Sequence, residues 1–292
     1  MSILCFGEIL WDLFEDGAHI GGAAYNVAAH TAKLGSASYF YSRLGEDALG
    51  EKARGEIQRH GVKTEFLQTD PLHPTGTAGV VLDREAVPTF TIANHTAYDF
   101  IRAEKADIER INRRGFDLFY FGTIAQKGEV SRASLSRILS GCRFKEIFFD
   151  INIRKPFYSA DSIRHSLSYA TVLKLNEGEL RLLSELFFNR AGEEETVASV
   201  FRNYPAIHTV LVTKGPEGAT VYSGGKAVSV KHCVSEAVDT VGAGDAFSAG
   251  FIVSYLAGAD VISAAERGNR LADYVASQKG AIPDYDPKTV LG

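Results

Sequence analysis

The sequence has few cysteines, and they are far apart. Only three occur in 292 residues, Cys5, Cys142 and Cys233, and no Cys-x-x-Cys pair is present. This odd, scattered set excludes a disulfide framework and gives no indication of a zinc cluster. We therefore expect reduced thiols in a cytoplasmic protein.

Long apolar runs and excess basic charge are also missing. No uncharged apolar stretch reaches the roughly 18 residues that a membrane span needs, and the apolar N-terminus has no basic residues before it, as a signal peptide would. The formal net charge is −5, from 31 Lys and Arg against 36 Asp and Glu. We expect neither a membrane nor a nucleic acid as the main partner.

Two familiar nucleotide-binding fingerprints are absent as well. The chain contains no P-loop of the Walker A type, and no Gly-x-Gly-x-x-Gly follows an early strand. A dinucleotide-dependent oxidoreductase is therefore excluded as the first interpretation.

Short apolar runs alternate with helical patterns along most of the chain. The runs are continuously apolar, which predicts strands buried on both faces of a mostly parallel sheet with helices on each side. The predicted strands are 3–7, 37–45, 117–122, 146–150, 171–176 and 208–215. The predicted helices are 22–34, 47–60, 104–114, 129–140, 161–169, 177–188, 194–203, 243–257 and 260–278, with a hairpin at 218–230.

One segment breaks this alternation. Residues 75–99 have the pattern of a two-stranded antiparallel ribbon with no helix between the strands. The pattern alone allows two interpretations, a surface hairpin or a lid over a site.

The stretch AVDTVGAGDAFSAGF, residues 237–251, places small residues before an apolar helix. A helix start exposes unpaired N–H groups and the positive end of the helix dipole, so it favours anions. Asp245 beside such an anion site makes sense as a general base for a hydroxyl that attacks a phosphoryl group. The alternative is an ordinary acidic residue in a first helical turn.

Three motifs together resemble the ribokinase-like (PfkB) family of carbohydrate kinases. They are GGAAYNVAAHTAKLG with SRLGEDALG (21–50), KLNEGEL (174–180) and DTVGAGDAFSAGF (239–251). The resemblance covers essentially the whole chain. It implies one kinase domain over 1–292, a three-layer α/β/α sandwich with a mostly parallel central sheet, and a small β-sheet lid from about 10–20 and 75–99.

The resemblance implies an ATP-dependent kinase that also needs Mg²⁺. Asp245 would be the catalytic base, and the Gly242–Gly244 turn, with the amides of Ala243 and Gly244, would form the anion hole. Asn176 and Glu179 would organise Mg²⁺ and its waters, as one carboxylate with several waters can do. From the residues alone, the acids at 177 and 179 equally suit the start of a helix.

The nucleotide side is implied in the same way. Thr213, Gly215 and Gly218, in TKGPEG, match the family's nucleotide loop, and Asn269 and Ala272 match the adenine side. Many members of the family also bind a monovalent cation, which would be K⁺ here, beside the anion hole. The matching positions are Asp239, Val241, Val275, Gln278, Gly280 and Asp284.

The sugar side is implied by the N-terminal motifs. Asp12 would accept hydrogen bonds from two neighbouring hydroxyls, and Gly21, Gly22 and Asn26 would complete the pocket. The stretch FDINIRKPFY resembles an Asp-x-Asn-x-Arg element, so Asp150, Asn152 and Arg154 are expected close to the phosphates or the far end of the sugar.

The GEILWD opening resembles fructokinases most, so D-fructose is the first choice of substrate. Ile20, Tyr25 and the DREAVP turn depart from the usual pattern and leave the sugar open. The rivals are kinases of 2-keto-3-deoxygluconate, ribose or a nucleoside, and a non-catalytic sugar-binding regulator, which we would expect to lack Asp245. The apolar alternation of 77–92 also permits a homodimer through the lid.

Overall fold

The computed structural model describes residues 1–14, 17–82, 88–189, 192–232 and 237–291. The DREAVP turn, apart from Pro88, and Cys233 lie outside the described residues. Cys5 and Cys142, which are described, are free thiols, as the sequence predicts.

A nine-stranded sheet forms the centre of the fold. Its strands lie in the order β13-β12-β11-β10-β9-β8-β1-β4-β5, parallel from β11 to β5, with the β12–β13 hairpin antiparallel at one edge. The strands are β1 (Ser2–Phe6), β4 (Ala37–Gly45), β5 (Leu67–Asp70), β8 (Leu118–Phe121), β9 (Glu146–Asp150), β10 (Val172–Asn176), β11 (Thr209–Thr213), β12 (Ala219–Ser223) and β13 (Lys226–Val230).

A second, small sheet contains four strands in the order β3-β2-β6-β7. Its strands are β2 (Leu10–Phe14), β3 (Gly17–Gly21), β6 (Gly76–Leu82) and β7 (Pro88–Ile92). The pairs β2–β3 and β6–β7 are antiparallel, and β2 joins β6 in parallel. The ribbon predicted at 75–99 is therefore half of this sheet, and the segment 10–20 supplies the other half.

Ten α-helices occur in the described part of the chain, and they cover the large sheet on both faces. They are α1 (Ala23–Lys33), α2 (Ala48–Arg59), α3 (Lys105–Arg114), α4 (Glu129–Gly141), α5 (Ala160–Leu167), α6 (Glu177–Phe187), α7 (Glu193–Asn203), α8 (Ala243–Leu256), α9 (Val261–Ala276) and α10 (Pro287–Leu291). All nine helices predicted from the sequence are confirmed.

The core explains why the strand sequences are continuously apolar. In β1, Ile3 and Cys5 pack into one buried cluster, whereas Leu4 and Phe6 pack into another on the opposite face of the sheet. Successive side chains of a strand point to opposite faces, so both faces need apolar residues. The predicted three-layer arrangement is confirmed.

Helices α8 and α9 pack closely beside the large sheet. A Cβ atom built on Gly250 would lie 3.0 Å from the Cα of Gly268, so two glycines allow the backbones to approach. Nine consecutive residues of α8, 246–254, are buried. The sequence after Asp245 is apolar on all sides because the helix enters the core directly.

None of the helices in the described ranges is both long and apolar enough to cross a membrane.

Candidate active site

Two cavities meet at the carboxyl ends of the parallel strands. The first, of about 360 Å³, lies between the large and small sheets, and the second, of about 380 Å³, lies beside it over α8 and α9. Thr213, Thr240 and Gly244 line both cavities. Loops at this edge of an α/β sheet are where ligands usually bind, and the start of α8 is the junction.

Asp245 lies in the first turn of α8 and lines the first cavity. Its Oδ2 accepts a hydrogen bond of 2.8 Å from Nδ2 of Asn26, which α1 brings across. Burial raises the pKa of Asp245, while the charge of Lys174 and the Asn26 hydrogen bond oppose that shift. Burial is the largest of these effects on the pKa of the Asp245 carboxyl group.

The turn before Asp245 has the backbone that a glycine provides. Gly242 caps α8 in the left-handed region, with φ 79°, and a Cβ there would lie 2.6 Å from the Cβ of Ala281. The N–H of Ala243 donates a long hydrogen bond of 3.3 Å to the carbonyl of Thr240. The first N–H groups of an α-helix have no partner within the helix, so this turn suits an anion.

The small sheet brings Asp12 to the first cavity. Asp12 lies in β2, and a Cβ on Gly21 would lie 2.6 Å from its Oδ2, so the glycine makes room for the carboxylate. Burial raises the pKa of Asp12 to about 6, with Arg154 and His19 opposing the shift. Gly22 begins α1 at φ 106°, where a Cβ would meet the carbonyl of Glu8 at 2.7 Å.

Asn26 is buried and lines the first cavity, where the sequence analysis expects it, and it also contacts Asp245. Its amide nitrogen donates to Asp245, and its Oδ1 is buried with no hydrogen-bond partner in the described structure. In this state Asn26 orients Asp245, while its oxygen remains able to accept from a ligand.

The Asp-x-Asn-x-Arg element divides into two parts. Asn152 and Arg154 line the first cavity, and Arg154 is exposed. Asp150 is fully buried under the cavity, where its carboxylate binds Lys174 instead of facing a ligand. The expectation that Asp150 lies against the phosphates or sugar is corrected, because its charge is already paired.

Asn176 and Glu179 form the start of α6. Asn176 Oδ1 accepts from the N–H of Glu179 at 2.9 Å, and Glu179 Oε2 accepts from the N–H of Asn176 at 2.8 Å. Glu179 Oε1 also accepts from the N–H of Ile153 at 2.8 Å. Burial raises the pKa of Glu179, with Lys174 opposing. Asn176 and Glu179 therefore cap α6, which agrees with the alternative that the acids at 177 and 179 start a helix, and both Asn176 and Glu179 also line the first cavity.

The second cavity contains all five residues predicted for the nucleotide: Thr213, Gly215, Gly218, Asn269 and Ala272. Nδ2 of the buried Asn269 donates to the carbonyl of Val230 at 3.1 Å, which ties α9 to the end of β13. The remaining lining is mainly apolar and includes Phe247 and Ala276, which suits the flat face of a base.

The positions predicted for a monovalent cation are only partly assembled. Asp239 connects two of them, because its carboxylate accepts the N–H groups of Val241 and Gly280, each at 3.0 Å. Val275 and Gln278 lie at the end of α9, where the Gln278 N–H donates to the Val275 carbonyl. The Asp284 carboxylate is exposed and pairs with Lys33 at 3.1 Å.

The sequence analysis missed four titratable residues at these cavities. Glu8 and Lys174 line the first cavity, and His232 and Asp273, which contact each other, line the second. Lys174 had a detectable signal, since it interrupts the apolar strand VLKLN, where a charge needs a buried partner. Burial opposes the charge of Lys174, but neighbouring carboxylates outweigh this and raise its pKa.

Comparisons with known proteins give a consistent result. A family model described as "pfkB family carbohydrate kinase" matches residues 6–288. Among curated proteins, the chain is 31% identical to the fructokinase of Escherichia coli, over 96% of this chain and 92% of that protein.

Two solved structures superpose on almost the entire chain. One is a double mutant of fructokinase from Vibrio cholerae O395 with fructose, ADP and potassium bound, with TM-score 0.83 and 25% identity, covering 99% of this chain and 94% of that one. The other is aminoimidazole riboside kinase from Salmonella enterica, with aminoimidazole riboside and an ATP analog, with TM-score 0.84 and 20% identity over 100% of both chains. At 20% identity the second likeness concerns the fold alone.

Proposed function

Because the chain belongs to the pfkB family of carbohydrate kinases, we propose that it transfers the terminal phosphoryl group of ATP to D-fructose, giving fructose 6-phosphate and ADP. The ribokinase-like α/β fold agrees with this family. The observation that carries the proposal is the position of Asp245, at the helix start where the two cavities meet. Fructose is the first choice because the E. coli and V. cholerae relatives are fructokinases.

Asp245 acts as the general base in this proposal. The primary hydroxyl of the sugar gives its proton to the Asp245 carboxylate while its oxygen forms a bond to the terminal phosphorus. The bond from that phosphorus to the bridging oxygen breaks, and ADP leaves with the electron pair. A base must be ionised, so the raised pKa of Asp245 makes it a better proton acceptor once deprotonated.

The remaining first-cavity residues bind and orient the sugar. Asp12 accepts hydrogen bonds from two neighbouring hydroxyls, and Gly21 and Gly22 leave room for the ring. Arg154 supplies a positive charge near Asp12 and Asp245, which its opposing influence on both pKa values supports. The N–H groups of Ala243 and Gly244 bind the transferring phosphoryl group, with Gly242 setting the turn.

ATP enters from the second cavity. Thr213, Gly215 and Gly218 approach its phosphates from the strand-to-turn loop, and Asn269 and Ala272 contact the adenine. This division is supported by the linings of the two cavities, which share only Thr213, Thr240 and Gly244.

Mg²⁺ would accompany ATP, held through water by Asn176 and Glu179. The described residues contain no cluster of three or more metal-ligating acids, histidines or cysteines. One carboxylate with free lone pairs at the cavity wall fits an ion that keeps several waters and takes other ligands from phosphates. Bound there, the ion would neutralise phosphate charge.

A monovalent cation, K⁺, would bind between the two loops that Asp239 joins, with Val241, Val275, Gln278, Gly280 and Asp284 as the neighbouring positions. The potassium ion bound to the V. cholerae relative supports this assignment. The contact between Asp284 and Lys33 would have to open if the Asp284 side chain takes part.

We assign the small sheet as a lid on a single kinase domain that spans 1–292. It forms one wall of the first cavity through Leu10, Asp12, Ala78 and Ile92. Closing it would exclude water and so limit hydrolysis of ATP. The exposed Leu13 of β2 supports a homodimer through this sheet.

The rival acceptors are 2-keto-3-deoxygluconate, ribose and a nucleoside. Arg154 favours 2-keto-3-deoxygluconate because its guanidinium could bind the carboxylate of that sugar acid. A nucleoside is included because the fold resembles that of aminoimidazole riboside kinase. A non-catalytic sugar-binding protein is disfavoured, because Asp245 and its glycine turn are both present.

The test measures ADP release with each of these acceptors for the wild-type protein and for Asp245→Asn. We expect fructose to give the highest kcat/KM, and Asp245→Asn to lower kcat by roughly 10²–10⁴-fold with near-normal sugar binding. Asp161→Asn is the control, because that side chain is 93% exposed on the surface. Full turnover by Asp245→Asn would refute the general-base role, and preference for another acceptor would replace fructose.

A further inference from the structure

Lys174 is a buried cation at the junction of the two cavities. It lies in the middle of β10, is only 7% exposed, and lines the first cavity together with Asp245 and Gly244. A Cβ atom built on Gly244 would lie 3.3 Å from its Nζ. The absence of a side chain at 244 therefore leaves a space between the ammonium group and the start of α8.

Two hydroxyl groups hold Asp150, the partner of Lys174, in place. The Asp150 carboxylate accepts from Lys174 Nζ at 2.9 and 3.2 Å, and its Oδ2 also accepts from Tyr120 and Ser248, each at 3.2 Å. These residues come from three neighbouring strands and α8. The ammonium group is thus fixed from below, with two of its three N–H groups on Asp150, and a third remains for a ligand in the cavity.

The first cavity has more acidic than basic side chains, so the positive charge of Lys174 offsets part of its negative charge. Its described lining contains four carboxylates, Glu8, Asp12, Glu179 and Asp245, but only two cationic side chains, Arg154 and Lys174. The arrival of ATP adds further negative charge. Arg154 is exposed and acts on both Asp12 and Asp245, whereas Lys174 is buried with its Nζ directly beside Gly244 at the start of α8.

A purely structural role for the Lys174–Asp150 ion pair explains fewer of these observations. A buried ion pair seldom adds net stability over apolar residues of similar size, so neutralising Asp150 gives no reason for both groups to be present. The opening toward Gly244 is also unnecessary for such a pair.

We propose that Lys174 binds the phosphoryl group during transfer, with Asp150 as its positioning residue. This proposal rests on the proposed kinase function. In the step described above, Lys174 keeps its proton, stays hydrogen-bonded to Asp150, and donates its remaining N–H to an oxygen of the phosphoryl group beside the amides of Ala243 and Gly244. Its contribution is largest in the transition state, since fixed charges in a site closed to water are already oriented.

The test compares wild-type protein with Lys174→Arg, Lys174→Met and the double variant Lys174→Met/Asp150→Asn. The double variant removes both charges, so it avoids leaving Asp150 buried and unpaired. We expect kcat to fall by roughly 10²–10³-fold in the Met and double variants, with smaller changes in KM for ATP and sugar. Lys174→Arg, which keeps the charge, should recover part of this loss.

A binding measurement separates the phosphoryl role from folding. Affinity is measured by calorimetry for Mg·ADP alone and for Mg·ADP with aluminium fluoride and fructose, which imitates the group in transfer. We expect the double variant to bind Mg·ADP almost normally and to lose most of the extra affinity that aluminium fluoride gives.

The matched control is Lys127→Met/Asp99→Asn. Lys127 and Asp99 form a second buried ion pair, with side chains 6% and 6% exposed, against 8% and 0% for Lys174 and Asp150. The control should lose stability but keep kcat and the aluminium fluoride effect. If the Met variant fails to fold, the double variant decides the question.

A folded double variant with near wild-type kcat and aluminium fluoride affinity would overturn the proposal. Failure of the kinase function itself looks different, because the wild-type protein would then phosphorylate no acceptor. In that case the role of Lys174 would be wrong as well, because it rests on the kinase function.

Discussion

Asp245 and Glu8 are neighbouring acids whose surroundings disfavour negative charge. Burial raises the pKa of both, and the charge of Asp245 is a further cause of the shift at Glu8. The charge of Lys174 and the side chain of Asn26 oppose the shift at Asp245, whereas at Glu8 the opposing groups are backbone N–H donors. The surroundings therefore favour ionisation of Asp245, which faces the junction of the cavities, over ionisation of Glu8, which lies beneath α1.

Glu8 gives a prediction about stability and pH. It is 4% exposed, its Oε1 accepts from the N–H of Ala23 at 2.9 Å, and burial raises its pKa from 4.5 to about 7. A raised pKa means that the folded protein binds this proton more tightly than the unfolded chain. Glu8 makes its full contribution to the free energy of unfolding below pH 4.5. This contribution, about 3 kcal/mol, is lost as the pH rises to about 7.

Glu8→Gln keeps an oxygen acceptor and removes the titration. In urea unfolding between pH 4.5 and 8, we expect the unfolding free energy of this variant to fall less than that of the wild-type protein, with the remaining fall due to Asp12, Asp245 and Glu179, whose pKa values are also raised. Glu109→Gln, an exposed glutamate on α3, should retain the fall. Parallel profiles for wild-type protein and Glu8→Gln would show that another group causes the pH dependence.

Sequence motifs identified the residues that face the cavities more readily than the charged residues buried beneath the cavities. Asp245 and Asp12 follow recognisable motifs, and the structure brings both to one cavity. Lys174 and Asp150 are harder to interpret, because each is a single charge in an apolar strand and their partnership joins two strands 24 residues apart. Pairing of this kind depends on strand order, which the sequence does not state directly.

The β2–β3 hairpin connects local backbone geometry to sugar binding. Asp12 and Gly21 come from its two strands, and the glycine leaves the space that the carboxylate occupies. Gly21→Ala should therefore displace Asp12 while leaving the rest of the site intact.

We expect Gly21→Ala to raise the KM for the sugar about ten-fold or more, since a hydrogen bond to a charged group is worth about 1.5–3 kcal/mol. The KM for ATP should change little. Gly79→Ala is the control, because Gly79 lies in β6 of the same sheet and a Cβ atom there would have nothing within 4 Å. Equal effects of Gly21→Ala on both KM values would contradict the placement of Asp12.

The elements that the sequence predicted are those with a strong, continuous pattern. The edge strand β5 and the short helix α10 were missed, since Leu67–Asp70 and Pro287–Leu291 have only four and five residues. For the small sheet, the residue pattern predicted only the ribbon at 75–99, and the segment 10–20 was added from the family resemblance, because β2 pairs with β6 across more than 60 intervening residues. Contacts that distant leave no local periodicity.

Across the whole molecule, the two sheets meet at Trp11. This residue, the only tryptophan in the chain, lies in β2 next to Asp12, is 7% exposed, and donates a hydrogen bond of 3.0 Å from Nε1 to the carbonyl of Leu49 in α2. It therefore joins the small sheet to a helix on the large one. A movement of the small sheet over a bound sugar would change the surroundings of this indole.

We expect selectively excited tryptophan fluorescence to change with fructose, with a midpoint near the KM for that sugar, and to change further when ADP is added. Trp11→Phe should abolish the signal. Asp12→Ala should keep the emission but shift the midpoint to higher sugar concentration, because the reporter remains while the sugar contact is lost. Sugar binding detected by calorimetry without any change in emission would mean that β2 keeps its position against α2, and closure of the small sheet as one body would then be wrong.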